Sequence, residues 1–463
     1  MNKLFLDRLG KNLSFTGENK NGRRVSRRQF LKYSAYTYVT FGTVCFLAGC
    51  AVDPVTGKNQ LMMMSREQEI GIDKQHAPFQ FSSDYGVTQD RALNQYIGEV
   101  GGKMMPFVHR PDMPYAFQCV NATYVNAYAF PGGSIAVTRG ILLDLDDEAQ
   151  LAALLGHELG HVNARHSAEQ ASKNQLSSLF VGGLSLLAST QGSGLGQLTQ
   201  QLGALGQGLF LSSYSRENER EADSLGQEYM VKAGYSSKGF VGLMEMLNSM
   251  NTAKASSTQM LFSTHPMSSE RLSAAVQRDT TQYKHTQSFP LGRERYMDKT
   301  ALLRQKKGAI LKMQEGEKYL AKEEYGTAET SFKSAIQQAP HDYTAHVLMA
   351  KCLLIQKKSS QALSYADSAK KLYATEPQGY YLAGLANSAE KKHTRAYEDF
   401  KQCDALLPGN PQVTFYKGYS LDNSGQQQAA AQNYLAYLKQ INYQANPYSK
   451  HAYQRLKAWG YAQ

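Results

Sequence analysis

Residues 157–161 have the sequence HELGH, which places His157 and His161 four positions apart with Glu158 beside them. On a helix, residues four apart lie one above the other, about one 5.4 Å turn apart, so both imidazoles can bind one metal ion. Glu158 can then accept a proton from a water molecule that the metal activates. This combination is typical of metal-assisted peptide hydrolysis and predicts one zinc ion (Zn²⁺) per chain.

The residues around this motif predict a buried helix. Asp144, Asp146 and Asp147 are candidates for the N-terminal cap, and Glu148 places negative charge in the first turn. Residues 151–162 are apolar nearly all round, as in a helix that other elements cover. The alternative, a solvated helix that happens to carry two surface histidines, does not account for these apolar neighbours.

A catalytic zinc site needs a third protein ligand, and residues 215–223 offer three glutamates. Spacing alone does not choose among Glu217, Glu219 and Glu221. Glu219 has Asp223 one helical turn later on the same face, and a carboxylate that holds a ligand imidazole by its other nitrogen recurs at zinc sites. The alternating charges of this segment would also suit a solvated helix.

Several separated motifs together resemble the gluzincin metallopeptidases that include HtpX and the CAAX prenyl protease, in particular their soluble, BepA-like bacterial branch. They are HELGH, the SRxxExxAD pattern at 215–223, VNAYAFPGG at 125–133, THP at 264–266 and DPVTG at 53–57. The resemblance covers roughly residues 50–290, and agreement over several motifs is much stronger than one match. It implies a zincin-type fold, helical with a small β-sheet, in which Glu219 is the third ligand.

The resemblance also bears on two residues downstream. It implies that His265 can reach the zinc as an inhibitory fourth ligand, which would make the enzyme latent because the position that water needs is filled. A lone histidine before a proline is also commonly a turn residue, and both interpretations stay open. Arg271 is a candidate for polar contacts near the site.

Residues 127–137 predict a β-hairpin just before the metal helix. They alternate imperfectly, are rich in β-formers and are interrupted by Pro131, Gly132 and Gly133. In peptidases of this type a strand beside the cleft binds the substrate backbone by strand addition, with loose side-chain selectivity. A purely structural hairpin is the alternative.

Residues 1–49 are interpreted as a twin-arginine-type lipoprotein signal peptide. The sequence SRRQFLK at 26–32 precedes an apolar stretch and then LAGC at 47–50, in which Cys50 would carry the lipid. An ordinary signal for general secretion is the alternative. Both predict export, and Ala51 after the lipidated cysteine fits a periplasm-facing lipoprotein of an outer membrane.

The net charge of +11 is mostly a property of that segment, which contains nine Lys/Arg and two Asp/Glu. Without it the net charge is +4, so the basic composition gives no reason to expect nucleic-acid binding. Cys352 and Cys403 could pair in an oxidising compartment, but their spacing does not indicate a disulfide.

A 34-residue repeat follows residue 307 or so. Alanine recurs at that period at Ala328, Ala362, Ala396 and Ala430. Twelve positions earlier are small residues, namely Gly316, Ala350, Gly384 and Gly418, and four positions later are Phe332, Ala366, Phe400 and Tyr434. This is tetratricopeptide spacing, in which small residues let two helices approach and the bulky residue packs between units.

The sequence therefore predicts a mainly α chain of two domains. A zinc metallopeptidase domain spans 50–290, a linker 291–308, and an all-α solenoid 309–463, with four repeats to about 444 and a capping helix. Tyr319, Tyr343, Tyr380 and Tyr381 are candidates to line its concave surface, which such arrays present to extended segments or partner proteins.

The predicted function is a zinc metalloendopeptidase of the bacterial envelope that cleaves misfolded or stalled outer-membrane proteins recruited by the repeats. The alternative is a repeat chaperone or assembly adaptor with a latent peptidase.

Overall fold

The computed structural model describes residues 50–52, 54–55, 57, 59–61, 64–170, 213–253 and 256–461. The signal-peptide interpretation concerns residues 1–49, which lie outside the described residues, as do Asp53 and Thr56 of the DPVTG motif. Within the described ranges, no helix combines the length and the apolarity that crossing a bilayer requires.

The strands form two small sheets. Strands β1 (Cys50–Val52) and β2 (Asn59–Leu61) pair antiparallel. Strands β3 (Ala116–Val120), β4 (Ala127–Ala129) and β5 (Ser134–Thr138) form a sheet of order β3-β5-β4. The predicted hairpin is confirmed, since β4 pairs antiparallel with β5 across a turn in which Gly133 has a φ of 107°, a value that favours glycine. The order of the strands leaves β4 at the edge of this sheet.

Eight helices accompany these strands in the described part of the N-terminal half. They are α1 (Arg66–Ser83), α2 (Arg91–Gly102), α3 (Arg139–Asp144), α4 (Glu148–Asn163), α5 (Arg216–Lys232), α6 (Lys238–Ala253), α7 (Gln259–Thr264) and α8 (Ser269–Thr280). Helix α4 carries the HELGH motif, and every one of its residues is buried, as predicted. Of the three candidate caps, the structure uses Asp147, whose side chain accepts from Gln150 N at 2.8 Å.

The interval assigned as a linker contains two short helices, α9 (Arg293–Lys299) and α10 (Ala301–Gln305). Both are anchored on the N-terminal half. The Tyr296 hydroxyl donates to Leu142 O at 2.6 Å, and Arg304 Nη2 donates to Leu145 O at 2.7 Å. The segment is therefore packed in place.

Helix pairs at the predicted period make up the rest of the chain, which confirms the mainly α fold with an all-α repeat array. The pairs are α11 (Lys307–Ala321) with α12 (Tyr325–Gln338), α13 (Tyr343–Ile355) with α14 (Ser359–Leu372), α15 (Pro377–Ala389) with α16 (His393–Leu406), and α17 (Pro411–Asn423) with α18 (Gln427–Gln440), followed by α19 (Pro447–Ala458).

In the first and third repeats, the aromatic residue packs against the small residue of its own helix pair. A Cβ added to Gly316 would lie 2.3 Å from the Phe332 ring, and one added to Gly384 would lie 2.7 Å from the Phe400 ring. The aromatic ring therefore packs on the small residue of its own helix pair, in addition to any contact with the next unit. Phe400 does both, since its ring also stacks on Tyr416 of the following pair at 5.2 Å.

The first three repeats are docked on the N-terminal half through buried polar contacts. Arg139 Nη1 lies 2.6 Å from Asp342 Oδ2, with both side chains about 95% buried. Ser82 Oγ donates to Glu376 Oε1 at 2.5 Å, and the Tyr85 hydroxyl donates to Glu317 Oε1 at 3.0 Å. These contacts place the first helices of the repeats (α11, α13 and α15) or the residues just before them against the N-terminal half.

Among the tyrosines expected to line the concave surface, Tyr343 and Tyr381 are buried, while Tyr319 and Tyr380 are partly buried. Tyr343 is part of the core that also contains the first domain's helices. Cys352 and Cys403 are both free and buried, so the structure contains no disulfide between them.

Candidate metal centre

Four buried side chains bring potential metal ligands within 4.8 Å of one another: His157, His161, Glu219 and His265. The Nε2 atoms of His157 and His161 are 3.1 Å apart. Oε1 of Glu219 lies 3.4 Å from His161 Nε2, and Nδ1 of His265 lies 3.1 Å from the same carboxylate oxygen. His265 Nδ1 is also 3.4 Å from His157 Nε2.

These spacings and this donor set fit zinc. Ligand atoms about 2.0–2.1 Å from a tetrahedral zinc are separated from one another by roughly 3.3 Å. Four of the six separations are 3.1–3.4 Å and match that value, and three imidazole nitrogens with one carboxylate oxygen are ligands that zinc takes in proteins. Without a cation, several acceptor atoms would face one another in a buried space, which is costly.

The ligand candidates converge because the backbones of α4 and α5 are in contact. A Cβ added to Gly226 on α5 would lie 2.6 Å from the backbone nitrogen of His157, and one added to Gly160 on α4 would lie 2.8 Å from Cα of Ala222. Larger residues at these two glycines would push the helices apart. The close contact brings Glu219, in the first turn of α5, beside the histidines of α4.

The three glutamates that compete in the sequence have separate environments in the structure. The Glu217 side chain is 76% exposed and pairs with Arg220. Glu221 is partly exposed and contacts His166. Glu219 is fully buried, and it is the one of the three that reaches His157, His161 and His265. Its position is the one that the family resemblance implies for the third ligand.

Asp223 and Arg271 form a buried support behind the ligands. Asp223 Oδ1 lies 3.0 Å from Nδ1 of His157. Arg271 donates to both oxygens of Asp223, each at 2.7 Å, and its Nη1 lies 2.6 Å from Glu219 Oε2. Burial alone would raise the pKa of Asp223, but Arg271 outweighs it and lowers that pKa below its usual value. An ionised Asp223 holds the His157 ring with Nε2 toward the other ligands.

Glu158 lies next to the four ligand candidates. It is 1% exposed, its Oε2 has no hydrogen-bond partner, and its Oε1 lies 3.8 Å from Nε2 of His265. Burial raises the pKa of this carboxyl, which makes it a stronger base than an exposed glutamate. The structure therefore places a carboxylate oxygen without a hydrogen-bond partner beside the ligand candidates.

The sequence did not predict three contacts in the surroundings of His161. Nδ1 of His161 lies 2.9 Å from Nδ1 of His166, and Nε2 of His166 lies 3.2 Å from Oε2 of Glu221. The Tyr214 ring stacks on His161 with centroids 3.8 Å apart. A third histidine five positions after His161 is a visible signal, but the contact depends on Arg165, whose φ of 58° turns the chain back after α4.

A narrow crevice lies between the edge strand and the helix of the HELGH motif, lined by Ala129, Phe130, Pro131, His161, Val162 and Ala168 among others. Asn126 and Phe130 flank β4. Asn126 O accepts from Thr138 N and Phe130 N donates to Ser134 O, so alternate backbone groups along this segment point toward β5. By the same alternation, the N–H and C=O of Ala129 point away from β5. They are oriented for pairing with an added strand.

Comparison with known proteins agrees with this geometry. Residues 91–279 match Peptidase family M48, a range that contains every ligand candidate, Glu158, Asp223 and Arg271. The β-barrel assembly-enhancing protease of Yersinia pestis is 27% identical over 50% of this chain and 48% of its own length. The metalloprotease YcaL of Escherichia coli (strain K12) is 33% identical over 34% of this chain and 59% of its own.

The chain spans about half the length of the β-barrel assembly-enhancing proteases that it matches. Among solved structures, MamA from Desulfovibrio magneticus RS-1 covers 37% of this chain and 97% of that chain, at 19% identity and a TM-score of 0.29. The resemblance read from the sequence motifs is confirmed by the family match. The part of the chain that holds the candidate metal centre is thus a domain of Peptidase family M48.

Proposed function

We propose that this protein is a zinc-dependent metalloendopeptidase of the bacterial cell envelope. The observation that carries the proposal is the convergence of His157, His161 and Glu219, at zinc-like spacing, beside the buried and unpaired carboxylate oxygen of Glu158. Zinc together with a neighbouring general base is the requirement for metal-assisted peptide hydrolysis.

In this mechanism His157, His161 and Glu219 would hold the ion, which supplies a Lewis acid that lowers the pKa of water and polarises the scissile carbonyl. Glu158 would take the proton of the attacking water at its free oxygen and then deliver it to the leaving amine. Asp223 and Arg271 would keep His157 and Glu219 oriented, because they lie 3.0 Å and 2.6 Å from the outer atoms of these two side chains.

His265 supports a latent resting form. Its Nδ1 lies at the fourth corner of the ligand cluster, the position that a catalytic zinc site leaves open to water and substrate. Activity would then require that this side chain leaves the cluster. This arrangement also supports the second candidate function, a repeat chaperone or assembly adaptor whose peptidase is seldom active.

Proteins and peptides are the proposed substrates, held mainly by their backbones. The outward N–H and C=O of Ala129 would pair with a substrate strand laid along β4, beside the crevice that His161 lines. Recognition of this kind depends on main-chain hydrogen bonds, so cleavage would favour unfolded segments over particular side chains.

The clients and the location are part of the same proposal. The name of the relative from Yersinia pestis refers to β-barrel assembly. We therefore expect misfolded or stalled outer-membrane proteins as clients, recruited through the repeats. A lipid anchor at Cys50, after cleavage of residues 1–49, would hold the protein at the periplasmic face of the outer membrane. The proposed boundaries remain 50–290, 291–308 and 309–463.

Casein cleavage with bound zinc tests this function. The comparison is between His265→Ala and the double variant His265→Ala/Glu158→Gln, because a latent wild type would hide the contrast. We expect the double variant to lose about 10²–10⁴-fold in rate while it retains zinc, since only the general base is removed. Equal rates in the two variants, or zinc-loaded protein that cleaves nothing in either form, would reject the peptidase and favour the adaptor.

A further inference from the structure

The outer nitrogen of His161 is held differently from that of His157. Nδ1 of His157 lies 3.0 Å from a carboxylate oxygen of Asp223, whereas His161 contacts another ring, His166, which in turn contacts Glu221. We propose that His166 and Glu221 are positioning residues that fix the orientation and tautomer of His161 for the metal. The inference rests on the zinc site of the proposed function and adds two residues to it.

Hydrogen-bond donors and acceptors can be assigned along this chain of contacts in one order. His161 Nε2 faces the other ligands and must be unprotonated to bind a metal, so its proton lies on Nδ1. That N–H donates to Nδ1 of His166 at 2.9 Å. The remaining proton of His166 then lies on Nε2 and donates to Oε2 of Glu221 at 3.2 Å. Each group is then satisfied, and Nε2 of His161 is left free to bind a metal.

The position of His166 leaves its ring no other polar role. The side chain is 1% exposed, and both of its nitrogens are used in this chain of contacts. The Tyr214 ring covers the face of His161, and its hydroxyl bonds to Ser167, so Tyr214 limits rotation of His161 without competing for its nitrogen. The chain of contacts ends at Glu221, whose side chain is 29% exposed and can interact with water.

The two ligand histidines therefore have supports of unequal strength. Asp223 is fully buried and held by two hydrogen bonds from Arg271. Glu221 is partly solvated and acts through a neutral ring, which weakens its electrostatic effect on His161. Loss of His166 should nevertheless weaken metal binding, because the His161 ring could then rotate or adopt the other tautomer.

Zinc affinity of the full-length protein, measured by competition with a chromogenic chelator, tests this inference independently of peptidase activity. His166→Phe keeps a ring and removes both nitrogens. We expect its zinc dissociation constant to rise about 10–100-fold. His166→Asn restores an acceptor near the position of Nδ1 and should recover much of that loss. Glu221→Gln keeps an acceptor and should change little, whereas Glu221→Ala should weaken binding. Glu217→Ala, an exposed glutamate four positions earlier, is the control.

Thermal unfolding separates positioning from a general structural role. The measurement is the rise in Tm that zinc produces over EDTA-treated protein, for wild type and His166→Phe. A positioning role predicts a smaller rise in the variant, whereas a structural role lowers both forms equally and leaves the rise unchanged. An unchanged rise, or a dissociation constant within about twofold of wild type, would overturn the inference while the proposed peptidase stands. If the wild type binds no zinc, both fall together.

Discussion

Nδ1 of His265 lies 3.1 Å from Oε1 of Glu219, in the turn that follows α7 and outside both helices that carry the other ligands. The two-helix support of α4 and α5 does not include this turn. His265 is held through its backbone N–H to Leu261 O at 2.7 Å and through its side chain. The fourth corner of the cluster is therefore supplied by a different element from the two helices that supply the other three ligand candidates.

Replacing His265 should raise the proposed peptidase activity. If the open form is on the order of a tenth of the resting population, His265→Ala should raise the rate of casein cleavage about tenfold, because the water position is then always free. His285→Ala, an exposed histidine of the same domain, is the matched control and should leave the rate unchanged. A rate for His265→Ala at or below the wild-type value would show that this side chain does not block the site.

Removing Glu219 should remove the metal. Zinc content by mass spectrometry after extensive dialysis should fall from near stoichiometric in wild type to near zero in Glu219→Ala, since two histidines alone leave the site short of a ligand. Glu217→Ala changes an exposed glutamate of the same helical turn and should keep its zinc. Full zinc occupancy in Glu219→Ala would shift the third-ligand assignment to another carboxylate.

The contact between α4 and α5 should tolerate no additional methyl group. Gly226→Ala would place a Cβ 2.6 Å from the His157 backbone nitrogen, where no flexible side chain can yield. We expect a loss of about 1–3 kcal/mol in unfolding free energy and a weaker affinity for zinc. Gly98→Ala is the control, because a Cβ there meets no atom within 4 Å. It should be neutral or stabilising by about 0.5–1 kcal/mol. Equal behaviour of the two variants would mean that the helices can separate without cost.

Stability should depend on pH through Glu376 at the contact between the domains. Burial raises the pKa of this carboxyl from its ordinary 4.5 to about 7. Between these two values the folded chain keeps a proton that the unfolded chain has lost. The contribution of Glu376 to stability is thus complete at low pH and is lost as the pH rises through about 7.

Glu376→Gln removes this dependence and keeps an acceptor for Ser82. Relative to wild type, the variant should gain up to about 3 kcal/mol in unfolding free energy between pH 5 and pH 8. Denaturant unfolding of EDTA-treated protein measures the difference without the separate effect of pH on zinc binding. Glu376 lies just before helix α15, and Glu390 is an exposed glutamate just after it. Glu390→Gln should therefore show no such dependence on pH. A constant difference between wild type and Glu376→Gln over this range would contradict the prediction.

Local patterns in the sequence were sufficient for α4, the hairpin and the repeats, because helical period, strand alternation and a 34-residue spacing are properties of neighbouring positions. The choice of Glu219 among three glutamates required the family resemblance, since spacing alone left it open. The contact of His166 with His161 depends on the left-handed backbone of Arg165, which no side-chain pattern reveals.

The contacts between the two halves of the chain could not be predicted from the sequence either. Asp342, Glu376 and Glu317 look like ordinary surface acids of a repeat array, and their partners Arg139, Ser82 and Tyr85 lie two to three hundred residues away. The period of the repeats predicts the helices but not which of their faces another domain covers. The period also does not reveal that Phe400 packs on the small residue of its own pair as well as on the next unit.

Because the repeat array contacts the N-terminal half along three successive helix pairs, its position relative to the candidate metal centre is fixed. A polypeptide gripped by the outermost pair would be presented to the cleft from a constant direction and over a constant span. In the proposed peptidase, the position of the cleaved bond would then depend on its distance from the segment of the substrate that the repeats bind. It would depend much less on the amino acids on either side of that bond.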